Sequence, residues 1–174
     1  MREAAPYKGY SKNCHALSFL LLFLGANHES TFPPTFGNLE QSTYGNWDEQ
    51  ILSEAGKPIK LSFDFHPLEA TELAKNAEQH LQYILKDELE HREKMCRYLL
   101  GLAQDWYEAT DETVTEELSL EEFVKWTWLD YISFEGDGTF SLWYYDEGGK
   151  IFAGHVIIAE YDAEGHFKGA GIHG

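Results

Sequence analysis

Beyond Leu129 the chain is cut into apolar segments by turns only a few residues long, and each turn contains glycine. Residues 130–134 run into Glu135-Gly136-Asp137-Gly138, an Asp-Gly turn of the kind that accommodates positive φ. Residues 139–145 read as the next strand, Asp146-Glu147-Gly148-Gly149 turns it, and residues 151–161 read as a longer apolar strand. Asp162-Ala163-Glu164-Gly165 then leads into a last strand over 166–172. Parallel neighbours need a crossover of a dozen residues or more, which loops this short cannot supply. The spacing therefore predicts a C-terminal four-stranded antiparallel meander.

Upstream, a second β signal lies in residues 58–65. Ile59, Leu61, Phe63 and Phe65 fall on one face of an extended chain, with Lys60, Ser62 and Asp64 on the other. Residues 44–52 alternate partially, and Ser53-Glu54-Ala55-Gly56-Lys57 joins the two as a hairpin. Between hairpin and meander, residues 68–110 lack proline and hold Gly101 as their one glycine. Ala70, Leu73, Ala74, Ala77, Leu81, Ile84 and Leu85, then Leu99, Leu102 and Trp106, recur at helical spacing. The stripe falters at residues 87–93, so the segment is one broken helix or two in sequence. Ser119-Leu120-Glu121-Glu122-Phe123 reads as a short N-capped helix, the serine hydroxyl accepting an orphan N–H. The fold class is α+β: an N-terminal β-hairpin, a long helical segment, then the meander.

Residues 1–35 have a different character. Arg2, Lys8 and Lys12 precede the apolar run 16–26, whose eleven residues rise only about 16 Å as a helix, half of a bilayer core. A basic start before a short apolar stretch has a secretory signal's layout, but Leu24-Gly25-Ala26 puts a bulky leucine where cleavage wants a small residue. Three readings stay open: a signal-like segment, a core element, or a dispensable extension. Two prolines in residues 31–35 stiffen the backbone and mark the boundary, giving an extension over 1–35 and a single α+β domain over 36–174.

Thirteen Lys and Arg against 30 Asp and Glu give a net charge of −17. Nucleic-acid binding depends on cationic side chains displacing phosphate counterions, and anionic membrane surfaces demand the same charge, so both are disfavoured. With 43% hydrophobic residues the chain can bury a sizeable core and is not disordered as a whole. Two cysteines, Cys14 and Cys96, are too few for a disulfide framework, and Cys96 reads as a small core residue. This favours the cytoplasm, with export as the alternative if residues 1–26 are a signal.

His155, in Phe152-Ala153-Gly154-His155-Val156, is the first candidate for chemistry. Trp143, Tyr144 and Tyr145 are aromatic neighbours able to bury it and move its pKa, and Asp146 or Glu160 supplies a carboxylate for general-base work. Equally, His155 reads as a strand histidine hydrogen-bonded within the fold. Glu88 and His91 form a Glu-x-x-His pair, but no second copy accompanies it, and the pair reads as a solvated helix face. The eight histidines lack zinc-motif spacing, and there is no phosphate-cradling glycine loop or Gly-x-Ser-x-Gly elbow, so no cofactor or metal is implied. Asp137 reads as a turn residue. The acidic stretch 105–122 is either a solvated linker or a docking face for a basic partner.

Several of these segments together resemble an uncharacterised bacterial domain-of-unknown-function family, DUF2262-like. They are Leu118-Ser119-Leu120-Glu121-Glu122-Phe123, Ile132-Ser133-Phe134, Asp137-Gly138, Phe140-Ser141-Leu142-Trp143-Tyr144-Tyr145-Asp146 and Gly154-His155-Val156-Ile157-Ile158. The ending Gly171-Ile172-His173-Gly174 and the hairpin, with Trp47 and Gly56-Lys57-Pro58-Ile59-Lys60-Leu61-Ser62, also fit. The resemblance covers roughly residues 36–174. Ala153 departs from the pattern, which has an aromatic there. The family implies no activity; small acidic domains of this sort suggest, by analogy, immunity proteins that neutralise toxins by binding them.

The reading reached is a noncatalytic protein-binding module, of toxin-immunity type, with a basic protein partner and with Trp143, Tyr145, Asp146 and His155 as binding residues. The alternative is a small hydrolase or metal-assisted enzyme using His155.

Overall fold

A computed structural model describes residues 40–41, 47–53, 56–64, 70–110 and 117–174. The expectations for residues 1–35, for Cys14 and for part of the acidic stretch lie outside the described residues. The order is β1 (Glu40–Gln41), β2 (Trp47–Leu52), β3 (Pro58–Asp64), α1 (Ala70–Lys86), α2 (Glu88–Thr110), α3 (Leu120–Trp126), β4 (Thr127–Glu135), β5 (Phe140–Asp146), β6 (Val156–Tyr161) and β7 (Phe167–His173). The class is α+β.

The expected C-terminal four-stranded antiparallel meander is corrected. β4 to β7 follow one another antiparallel, but they belong to a seven-stranded mixed sheet in the order β1-β2-β3-β4-β5-β6-β7. The join is a parallel β3–β4 pair running from Lys60↔Tyr131 to Asp64↔Glu135. Parallel neighbours need a long connection, and the helical region between β3 and β4 provides it. Short turns constrain only the strands on either side of them, so they carry no information about this distant pairing.

One aromatic row crosses five strands on the helix-packed face. Phe63, Phe134, Phe140, Tyr161 and Phe167 are successive cross-strand partners. Their ring centroids lie 5.3, 6.0, 4.8 and 5.6 Å apart in that order, and Phe140 and Tyr161 stack nearly parallel. Pairs directly opposite on a sheet are close enough for their rings to touch, so the row ties the hairpin to the C-terminal strands.

The helices cover this face through their buried stripes. Ala74, Ala77, Leu81 and Ile84 of α1 are buried, as are His91, Met95, Cys96, Leu99 and Ala103 of α2. Leu102, placed on the stripe by its spacing, instead faces outward at 41% exposure, and Ala103 takes the inward position. α3 starts from a capping box: Ser119 Oγ accepts the Glu122 backbone N–H at 3.2 Å, and the Glu122 carboxylate accepts the Ser119 N–H at 3.2 Å.

The long strand expected over 151–161 is shorter, beginning at Val156. Ala153 and Gly154 have φ of +52° and +89°, which an extended strand cannot contain. Ile151 and Phe152 are buried as part of a turn instead, so their hydrophobicity reports core contact and not extension. Among the described residues no helix is long and apolar enough to cross a membrane.

Candidate functional site

Helices α1 and α2 meet at Asp87, the point where the apolar stripe falters. Asp87 N–H donates to Tyr83 O at 3.0 Å, and Asp87 O accepts from Glu90 N at 2.9 Å and His91 N at 3.1 Å. The stripe is not lost there; polar residues occupy its inward positions. His91 is 5% exposed, which corrects the expectation of a solvated face for the Glu88–His91 pair. Its Nδ1 lies 2.8 Å from the Tyr161 hydroxyl, and its ring meets the edges of Tyr83 and Tyr161. Burial lowers the His91 pKa below its ordinary value, which favours the neutral ring.

Arg92, one residue further, anchors the crossover. Its Nη1 donates to Thr127 O at 2.6 Å and to Val124 O at 3.4 Å, and its Nη2 donates to Glu88 Oε2 at 3.0 Å. One guanidinium thereby holds α2, the end of α3 and the start of β4. Desolvation raises the Glu88 pKa, and the Arg92 charge opposes that rise. Behind this pair Tyr144 is wholly buried, and burial with the Glu88 charge pushes its hydroxyl well above the ordinary value. Glu88 Oε1, Arg92 Nε, His91 Nε2 and the Tyr144 hydroxyl are buried and have no hydrogen-bond partner among the described residues. Buried polar atoms are ordinarily satisfied, so such a cluster is unusual.

In front of the pair lies a cleft of about 360 Å³, between the β2–β3 turn, the α1–α2 junction and the start of β4. Its walls are apolar, from Ile59, Leu85, Leu89, Leu129 and Trp128, and its charged residues are Lys57, Lys86, Glu88 and Arg92. The Lys57 ammonium sits 5.1 Å above the Trp128 ring. The polar residues Glu88, His91 and Arg92, at helical i, i+3, i+4 spacing on a stripe otherwise apolar, are the sequence signal for this junction; read alone, they look like an exposed face.

The sheet separates the residues singled out from the sequence. Trp143 and Tyr145 alternate out of the core and lie half-buried on the face opposite the helices. Trp143 meets Tyr131 at 5.0 Å, and Tyr145 meets Trp128 at 6.5 Å. Asp146 lies on the helix-packed face, buried, with Oδ2 accepting the Ile151 N–H at 2.6 Å and the Phe152 N–H at 3.4 Å. It closes the turn that replaces the expected strand. His155 donates its backbone N–H to Phe152 O at 2.9 Å, and its ring packs edge-on against Trp106 of α2 at 5.4 Å. Glu160 is exposed, opposite Ser141 and Gly169 on the face that carries Trp143.

Asp162, Glu164 and His166 bring three donor atoms within 4.8 Å of one another in the β6–β7 turn. Asp162 Oδ1 already accepts the His166 N–H at 2.7 Å, and that bond foremost lowers its pKa. Turn closure accounts for this group. Cys96 is buried against the Thr127 hydroxyl, and burial pushes its thiol up to about 12, so it is inert at neutral pH.

Fold and site together define a class: a single mixed sheet, helices on one face, a half-buried aromatic strip on the other, and a small cleft where the two long helices meet. Residues 33–172 match DUF2262, described as an uncharacterised protein conserved in bacteria, and the chain belongs to that family. Comparison with curated proteins and with solved structures found no match.

Proposed function

We propose that this domain is a noncatalytic protein-binding module whose docking surface, for a basic protein partner, is the sheet face opposite the helices. The observation that carries the reading is the composition of that face. Register and alternation put Trp128, Tyr131, Trp143 and Tyr145 in a central strip there. Asp48, Asp64, Glu135 and Glu160 stand around it, with Lys60 among them. Trp128, at one end of the strip, also lines the cleft beside Leu85 and Leu89, while Trp143 and Tyr145 keep part of their surface accessible. Aromatic anchors ringed by charge suit protein recognition: the rings supply contact area, and the carboxylates steer a cationic partner and set register. The toxin-immunity form is the specific version of this reading, since a basic toxin supplies complementary charge. Trp143 and Tyr145 are its central contacts.

The test uses the tagged full chain as bait in lysate of a bacterium that encodes it, at low and high salt, beside the variants Trp143→Ala, Glu160→Lys and Tyr98→Ala. The expected result is a basic protein bound at low salt and released by high salt. It should be lost with Trp143→Ala, weakened by Glu160→Lys and retained by Tyr98→Ala on the helical side. Capture that ignores both sheet-face substitutions, or that fails altogether, overturns the reading.

A further inference from the structure

We infer that a second copy of this chain docks across a two-fold axis on the surface formed by α2 and the edge strand β7. This surface lies apart from the proposed docking face and does not depend on it.

The first ground is an open edge. β7 is last in the sheet, and among the described residues no strand lies on its outer side. The N–H and C=O groups along such an edge are a template for another strand. The opposite edge, β1, is only two residues long. Against β6 the register shifts between Glu160 and Tyr161 and skips Lys168, so regular pairing is confined to residues 169–173.

The second ground is an apolar patch beside that edge. Tyr98 and Leu102 are 61% and 41% exposed, one helical turn apart on α2. The Tyr98 ring meets Phe167 of β7 edge-on at 5.5 Å, and Ala170 and Ile172 of the same strand are only half-buried. β7 holds no carboxylate, although the chain has 30 Asp and Glu. The nearby lysines are engaged: Lys168 lies 3.9 Å from Asp162, and Lys94 of α2 sits 5.6 Å over the Phe167 ring. A basic partner finds no acid on this strand, whereas a second copy meets apolar side chains with apolar side chains.

The third ground is Gly101, which stands between Tyr98 and Leu102 in the interior of α2, where glycine is costlier than alanine. A Cβ there would meet nothing within 4 Å, so no contact among the described residues demands glycine. Close approach of a second helix does.

One symmetry unites the three. Tyr98 lies at Phe167, and Trp106 lies at His155, which precedes the Val156–His173 pair. α2 therefore runs along β7 in the same direction, with Gly101 and Leu102 level with the middle of the strand. A two-fold perpendicular to the sheet at that level pairs β7 antiparallel with its copy and keeps both α2 helices on one face. It sets Tyr98 of each copy against Leu102 of the other, beside the glycines, and brings Lys94 toward Asp105 of the other copy.

The experiment is sedimentation velocity of the full-length protein from about 1 to about 100 μM, the range in which a contact of modest affinity is read. The expected result is a reversible dimer that tightens between about 0.1 and about 0.5 M salt, since each copy carries −17 and salt screens the repulsion. Tyr98→Glu combined with Leu102→Glu should weaken it by about a hundredfold. Gly101→Gln, a helix-favouring change at an exposed position, should weaken it by about tenfold with helix content by circular dichroism unchanged. Trp143→Ala, on the opposite face, should dimerise as wild type. Should the double variant fail to fold, Gly101→Gln alone decides. The inference is overturned by a monomer across this range, whatever else covers the patch, or by a dimer that salt releases. A dimer that survives either α2 variant, or is lost with Trp143→Ala, overturns it equally.

Discussion

The two faces of the sheet use the same residue type for opposite ends. On the helix-packed face, Phe63, Phe134, Phe140, Tyr161 and Phe167 touch in register, and all but Phe167 are nearly inaccessible. On the other face, Tyr131 and Trp143 also touch across strands, yet both are only half-buried. Aromatic pairing across strands contributes to either face. What differs is the cover: side chains of α1 and α2 pack on the inner row, at Phe140, Tyr161 and Phe167. Burial makes the first row structural, while the second keeps part of its surface accessible.

Phe140→Ala tests this contrast most severely, because it breaks the inner row at its middle and leaves a cavity beside His80 and Tyr161. Urea unfolding should show a loss of about 3–5 kcal/mol. Asp146→Ala should cost about 2 kcal/mol by the same measurement, since the Ile151 and Phe152 N–H groups lose their shared acceptor inside the fold. If it costs nothing, the turn is held by its apolar plug alone. Trp143→Ala should cost only about 1 kcal/mol, the scale of one aromatic contact at a half-exposed site. A loss as large as that of Phe140→Ala would show that the second face is core, and the contrast would fail.

The smallest effect is one of pH. Burial lowers the His91 pKa from 6.5, Lys94 adds to this, and Glu90 and Asp87 oppose it. Between the lowered folded value and 6.5 the unfolded chain binds a proton that the folded chain does not, so stability rises with pH there. The contribution is complete above pH 6.5 and is lost as the pH falls through the folded value. Glu88 acts in the other sense: with its pKa raised from 4.5, its contribution is present below that pH and lost as pH climbs through the folded value. Thermal melts across pH 4 to 7 should therefore show a flatter acid limb in His91→Gln than in wild type.

Much of the fold was legible from the residues alone. The hairpin alternation at Ile59, Leu61 and Phe63, the Asp137-Gly138 turn and the Ser119 cap all rest on interactions a few residues long. Gly138 has φ of +88°, and Asp137 Oδ1 accepts the Thr139 N–H at 3.0 Å, both consequences of local sequence. The misread strand at 151–155 shows the limit, because apolar composition states that residues are buried but not in which conformation. The candidate cleft was visible only as a gap in a stripe.

Sequence by itself determined the α+β class, the turns and caps, and the break between α1 and α2, because sterics and hydrogen bonds within one turn or hairpin decide them. Tertiary structure alone decided that β3 pairs parallel with β4 and that Trp143 and Asp146 lie on opposite faces in different surroundings. It also turned Glu88, His91 and Arg92 inward, His91 against Tyr161 and the other two beside a cleft. Those outcomes depend on which surfaces meet across some sixty residues of chain, where no local preference distinguishes an inward charge from a solvated one.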